Sequence, residues 1–248
     1  MGNSEIHSTG RGKMKKKTLM MSMMLMIVML AAPFVYADSI NVGDTIQLYN
    51  SYGETPGGAF SLYKDSTYQF ESFCLEMNEY FTFGENLIVA GITKGAVNGG
   101  VGGGTDGVDP LDDRTAYLYY NFRMNTLASL VSGFSYVFAP SISSTQETLN
   151  RTSATALQQA IWYLEEETTA PLSGLALSLW TVANNAPLAA RTTAYNNVGV
   201  LNLQGSNVGY GVNRQDQLTI TSVPEPATML LLGLGLIGLA GVRRKYKA

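Results

Sequence analysis

Hydrophobic and polar positions divide the chain into unlike stretches. Near each end runs an unbroken apolar segment, Leu19–Leu30 and Ala227–Val242, and between them the pattern is periodic. Ser39–Tyr49 alternates through Ile40, Val42, Ile46 and Leu48, and Thr67–Phe83 through Tyr68, Phe70, Phe73 and Leu75. With Asn86–Ile92 and Gln217–Ser222 these are predicted strands. Gly95–Pro110 is predicted to be a flexible glycine-rich loop. The period then changes. Asp112–Met124 carries acids in its first turn and Arg123 in its last, complementing a helix dipole. Ser153–Glu167 places Leu157, Ala160, Ile161 and Leu164 at helical core spacing, and shorter helices are expected over Leu175–Ala183 and Pro187–Tyr195. Strands outside and helices in the middle predict an α+β domain, a mainly β, sandwich- or barrel-like core with a helical insertion.

The two apolar ends read as processing signals. Lys13, Lys15, Lys16 and Lys17 precede the first run, Pro33 breaks it, and Val35-Tyr36-Ala37 follows. That order predicts a signal peptide over residues 1–37, cut after Ala37 by signal peptidase, with Met14 as a candidate true start. Residues 223–248 form a distinct tail. Pro224 and Pro226 each fix their own φ and push the preceding residue out of the helical region, so Val223-Pro224-Glu225-Pro226 stays extended for an enzyme to grip. Ala227–Val242 would measure about 24 Å as a helix, just short of a hydrocarbon core. Arg243, Arg244 and Lys245 would hold its end on the cytoplasmic side. The glycines at 233, 235 and 238 mimic a dinucleotide fingerprint, but no strand–turn–helix unit surrounds them. The ordered tail resembles the PEP-CTERM sorting signal. The resemblance implies an exported protein of a Gram-negative, exopolysaccharide-making bacterium, spanning the membrane once until an exosortase processes it at the cell envelope.

Charge and residue usage narrow the chemistry of residues 38–222, the expected exported domain. It holds 7 basic and 17 acidic residues, a net charge of −10, which disfavours a nucleic-acid partner. The sole histidine, His7, lies ahead of the lysines within residues 1–37, outside this domain. Histidine-dependent triads, Cys-His pairs and His-ligated zinc are therefore excluded from the domain. No cofactor is expected, nor enzymatic turnover. Cys74 is alone, so an internal disulfide is impossible, and an odd cysteine in an exported chain suggests a reactive thiol or another covalent partner. Asp106 and Asp109 are weak calcium candidates near Asp112 and Asp113, in a register that fits no calcium-loop pattern. Glu165, Glu166 and Glu167 read as a solvated helix end.

Two short motifs remain, Phe73-Cys74-Leu75-Glu76 on a predicted strand and Leu157-Gln158-Gln159-Ala160-Ile161-Trp162 on the clearest helix. Gln158 shares a stripe with Ala154, Ile161 and Trp162, which puts an amide at the edge of an apolar face; Gln159 points toward water. A half-buried amide needs a partner, although a lone cysteine is commonly a small core hydrophobe. The pair resembles bacterial surface thioester domains, in which an aromatic-Cys motif meets a TQxAIW motif, with Leu157 here in place of the common Thr. The similarity runs loosely from Cys74 to Asn185 and includes Trp180. It implies an adhesin-like domain in which Cys74 and Gln158 condense with loss of ammonia, and a surface amine then attacks the thioester. Tyr68, Phe70, Tyr80 and Trp162 are candidates for the apolar wall that keeps water from it. The competing expectation is a non-covalent structural or biofilm-matrix protein that binds extracellular polysaccharide or ice, although no flat Thr-rich strand repeat is present.

Overall fold

A computed structural model describes residues 39–53, 57–97, 101, 104, 107–138, 142–206 and 212–221. The expected signal peptide with Ala37, the tail from Val223 through Lys245, and Asp106 lie outside the described residues. Strands β1 (Thr45–Asn50), β2 (Phe60–Lys64) and β3 (Thr67–Ser72) form an antiparallel meander. Asp65 and Ser66 link β2 to β3 with φ of 50° and 60°, the left-handed pair that a two-residue hairpin requires. Strands β4 (Leu87–Thr93), β7 (Val198–Gly205) and β8 (Asn213–Ile220) complete a six-stranded sheet in the order β3-β2-β1-β4-β7-β8. A separate ribbon pairs β5 (Gly95–Val97) with β6 (Val108–Pro110). The expected Gly95–Pro110 loop thus has paired ends.

The two edges of the large sheet approach each other. The Leu218 amide donates to the Phe73 carbonyl at 3.0 Å and the Leu75 amide to the Asp216 carbonyl at 3.2 Å. Only the single bridge Cys74–Gln217 joins them, not a ladder. The sheet therefore curls without closing. The α+β class holds, but the sandwich- or barrel-like expectation is corrected to one open, curled sheet and a small ribbon. Cys74 stands at the seam.

Helices α1 (Asp113–Arg123), α2 (Leu127–Leu130), α3 (Ser144–Leu164), α4 (Gly174–Asn185) and α5 (Leu188–Asn197) follow in one run between β6 and β7. Asp112 caps α1 by accepting from the Arg114 amide at 2.7 Å. α3 begins nine residues before the expected start, where Ser143 caps it through the Gln146 amide. Its first half is polar and carries no core spacing to reveal it. Lys94, at the end of β4, donates to the Tyr195 and Val198 carbonyls and so holds the C-terminus of α5, where a cation complements the dipole.

The apolar residues sort into two cores. Ile46, Leu48, Leu62, Phe70, Leu87 and Leu203 cluster on one side of the curled sheet together with Cys74 and Trp162. Phe73, Tyr119, Phe122, Leu157 and Ile161 cluster with the helices. Successive residues of one strand face opposite sides, and at the seam Phe73 joins the helix-side core while Cys74 joins the other.

Candidate functional site

Gln158 projects from α3 onto the seam, where it and Cys74 are 1% and 0% exposed. The Cys74 Sγ lies 3.3 Å from Gln158 Oε1. That oxygen also accepts from the backbone amides of Cys74 at 3.2 Å and Gly58 at 3.4 Å. Gln158 Nε2 donates to the Cys74 carbonyl at 2.8 Å. The carboxamide is thus gripped at both ends, with its oxygen between two backbone N–H groups and the thiol against it. Two N–H groups aimed at one carbonyl oxygen are the arrangement that stabilises negative charge developing there when a nucleophile adds. Gln159, one residue on, is exposed, as its helical angle predicts.

Two glycines make this approach feasible. A Cβ on Gly57 would fall 2.3 Å from Trp162 Cη2 and 2.9 Å from Gln158 Cγ. Gly58, with φ of 132°, occupies backbone space that favours glycine. The sequence reading singles out neither Gly57 nor Gly58, and their role at the site appears once Trp162 is seen against them. Trp162 is 7% exposed, and its indole lies beside the Cys74 thiol. Phe70 is buried in the same core, but Tyr68 and Tyr80 are 45% and 70% exposed, so neither closes the site from water.

Burial and the neighbouring Glu76 carboxyl push the Cys74 thiol well above its ordinary range, against the pull of its own backbone N–H and the Trp162 indole. The resting group is a neutral thiol. Glu76 and Glu167 are the acids that act on it, and further buried acids lie along the same elements. Glu165 and Glu167 are 6% and 4% exposed, which overturns the solvated helix end; only Glu166 is exposed. The helix stops at Leu164, Glu166 turns through a φ of 60°, and its two neighbours are directed inward. Glu167 accepts from the Met77 amide at 2.8 Å and Glu165 from the Asp112 amide at 3.2 Å. Burial raises Glu165 to about 8. Glu76 accepts from the Asp216 amide at 2.8 Å, and burial with the nearby Asp216 charge raises it to about 9. Asp216 is raised by burial to about 7, although the Val97 and Leu203 amides and Asn202 donate to it at 2.7–2.8 Å. Oxygens Glu76 Oε1, Glu167 Oε1 and Gln217 Oε1 have no hydrogen-bond partner among the described residues.

Of the calcium candidates, Asp106 lies outside the described residues. Asp109 sits on β6 opposite Ala96, Asp112 is paired with Arg114, and Asp113 lies 3.0 Å from Arg191. Among the described residues no three His, Cys, Asp or Glu side chains are placed to hold a metal ion.

The end of the chain is where known proteins are met. Residues 222–245 match the PEP-CTERM protein-sorting motif. The match covers Val223-Pro224-Glu225-Pro226, the apolar run and the basic residues through Lys245. It supports the chain as an exosortase substrate, exported and associated with the cell envelope. No curated protein and no solved structure matches the chain. Among the described residues no helix is long and apolar enough to cross a membrane, and the expected C-terminal span lies outside them.

Proposed function

We propose that this PEP-CTERM protein carries a single-use covalent attachment domain, an adhesin-like surface module with an internal thioester between Cys74 and Gln158. The observation that supports it is the carboxamide clamp: Gln158 Oε1 between the Cys74 and Gly58 amides, with Sγ 3.3 Å away. In the condensation Sγ adds to the Gln158 carboxamide carbon, and the developing oxyanion is held by the two N–H groups. The thiol proton passes to the amide nitrogen, the C–N bond breaks and one ammonia leaves. A primary amine on a surface molecule then adds to the thioester carbonyl. The C–S bond breaks, sulfur regains a proton, and the amine stays joined to the former Gln158 by an amide. Because the thioester is consumed, the domain is not an enzyme in the sense of turnover. Its burial keeps water from hydrolysing the activated acyl group first.

On this reading the exosortase sets the domain at the surface of a Gram-negative cell or in its exopolysaccharide matrix, where amine-bearing targets are met. Intact mass of the purified protein tests it. Wild type is expected to be lighter than its sequence mass by one ammonia, while Cys74→Ala differs from its own sequence mass by nothing. Methylamine labelling is expected to map to Gln158. A wild-type protein of full sequence mass with an alkylatable Cys74 leaves only a structural Cys–Gln pairing and overturns the thioester.

A further inference from the structure

A second buried polar group on the same stretch of chain borders a cleft. Glu71, on β3, lines a cleft of about 560 Å³ formed by β1–β3 and the segment before α3, a volume within the range of small-ligand sites. Glu71 is 7% exposed. Its Oε1 accepts from Ser51 at 2.8 Å and from Ser61 at 3.3 Å, and its Oε2 has no hydrogen-bond partner among the described residues. Burial raises the carboxyl above its ordinary range, and the two serines, the nearby Arg123 and the Tyr136 hydroxyl pull it back. Arg123 itself lies over the Phe70 ring, 4.5 Å from its centroid, and donates to Tyr119 at 3.0 Å.

The rest of the lining is largely aromatic, and its rings meet at steep angles. Tyr63 and Tyr68 are 5.8 Å apart at 74°. Tyr52 stands at 85° to Tyr136, which in turn stands at 58° to Phe138. Tyr68 and Phe138 remain 45% and 40% exposed although their neighbours are packed. Rings set edge-on to one another make the walls of a box rather than the flat floor on which a sugar ring stacks. Negative ring faces around a buried carboxylate are complementary to a compact cation with an apolar skin. The net charge of −10 over residues 38–222 draws such a cation in and repels anionic ligands.

We propose that this cleft is a binding site for an alkylammonium group, with Glu71 as counter-ion and Tyr63, Tyr68, Tyr52 and Phe138 as the cage. The site is independent of the thioester: it needs neither Cys74 nor Gln158. The test is titration calorimetry on the full chain in a polyoxyethylene detergent at fixed ionic strength. The probes are choline, its uncharged carbon analogue 3,3-dimethylbutanol, glycerophosphocholine and methyl glucoside. Saturable choline binding, at least tenfold weaker for dimethylbutanol, is expected. Comparable binding of glycerophosphocholine assigns the site to lipid head groups, and binding of choline alone assigns it to free amines. Glu71→Gln, which keeps the side chain's shape, is expected to weaken choline at least tenfold. Tyr68→Leu, at an exposed ring, keeps the test informative should the buried substitution unfold the domain, and it is expected to weaken choline several-fold. Equal binding of choline and dimethylbutanol, preference for methyl glucoside, absence of saturable binding, or unchanged affinity in both variants overturns the site.

Discussion

Cys74 and Glu71 stand three residues apart, yet they occupy opposite kinds of polar environment. At the seam the thiol and the carboxamide are sealed from water, and each polar atom of the Gln158 amide finds a partner within the protein. Beside the cleft the Glu71 carboxyl is also nearly buried, but one of its oxygens has no hydrogen-bond partner among the described residues. The first geometry suits a reaction between two groups of the same chain; the second suits a ligand brought from outside. Strand alternation and the seam together separate the two environments. A carboxamide inside the protein needs its hydrogen bonds supplied internally, whereas an exposed cleft can leave one for a visitor.

The strongest way to break this contrast is at the seam. Gln158→Leu leaves two backbone N–H groups and one carbonyl buried without their partner, and a loss of about 3–5 kcal/mol is expected by denaturant unfolding. Gly57→Ala drives a methyl into the Trp162 ring and should cost about 2–3 kcal/mol, read the same way. If either substitution is tolerated without loss, the seam is looser than the distances imply. The buried acids give a smaller, pH-dependent effect. Burial raises Glu76, Glu165 and Asp216 from their ordinary values of 4.5, 4.5 and 3.8 to about 9, 8 and 7 when folded. Between those limits the folded chain holds protons that the unfolded chain has released. The contribution of these three groups to stability is therefore fullest below about pH 4 and is lost as pH rises toward 9. The melting temperature is expected to fall by several degrees from pH 5 to pH 9, and Glu76→Gln is expected to flatten that slope. The smallest effect belongs to the cleft. Tyr68→Leu should change stability by less than about 0.5 kcal/mol, because its ring is largely exposed. A larger loss would mean the ring is part of the core and not of a cage.

Much of the architecture was legible residue by residue. The α1 helix is announced by Asp112 and Arg123, and α3 by the spacing of Leu157, Ala160, Ile161 and Leu164. What escaped did so for physical reasons. β7 is buried on both faces, so Val198-Gly199-Val200-Leu201 shows no alternation. β8 is predicted only from Gln217 on; its first half carries Gln215 and Asp216 into the interior, and a polar run of that kind reads as loop until its partners are known. β2 alternates through Phe60 and Leu62 but is only five residues long. Glu165 and Glu167 looked solvated because a charged helix end usually is; a left-handed turn at Glu166 directs them inward.

By itself the sequence determined the sorting tail, the lack of histidine and of a second cysteine in the exported domain, and the candidacy of Cys74 and Gln158. Those are properties of order and composition, and they hold in any fold. Only the tertiary structure decided that the two residues, 84 positions apart, meet at a sheet seam, and that Gly58 adds its amide to theirs. Contact across such a separation depends on the curl of the sheet and the landing of α3, which no local pattern encodes. The same holds for Glu71, an ordinary strand residue until the fold sets aromatic rings around it.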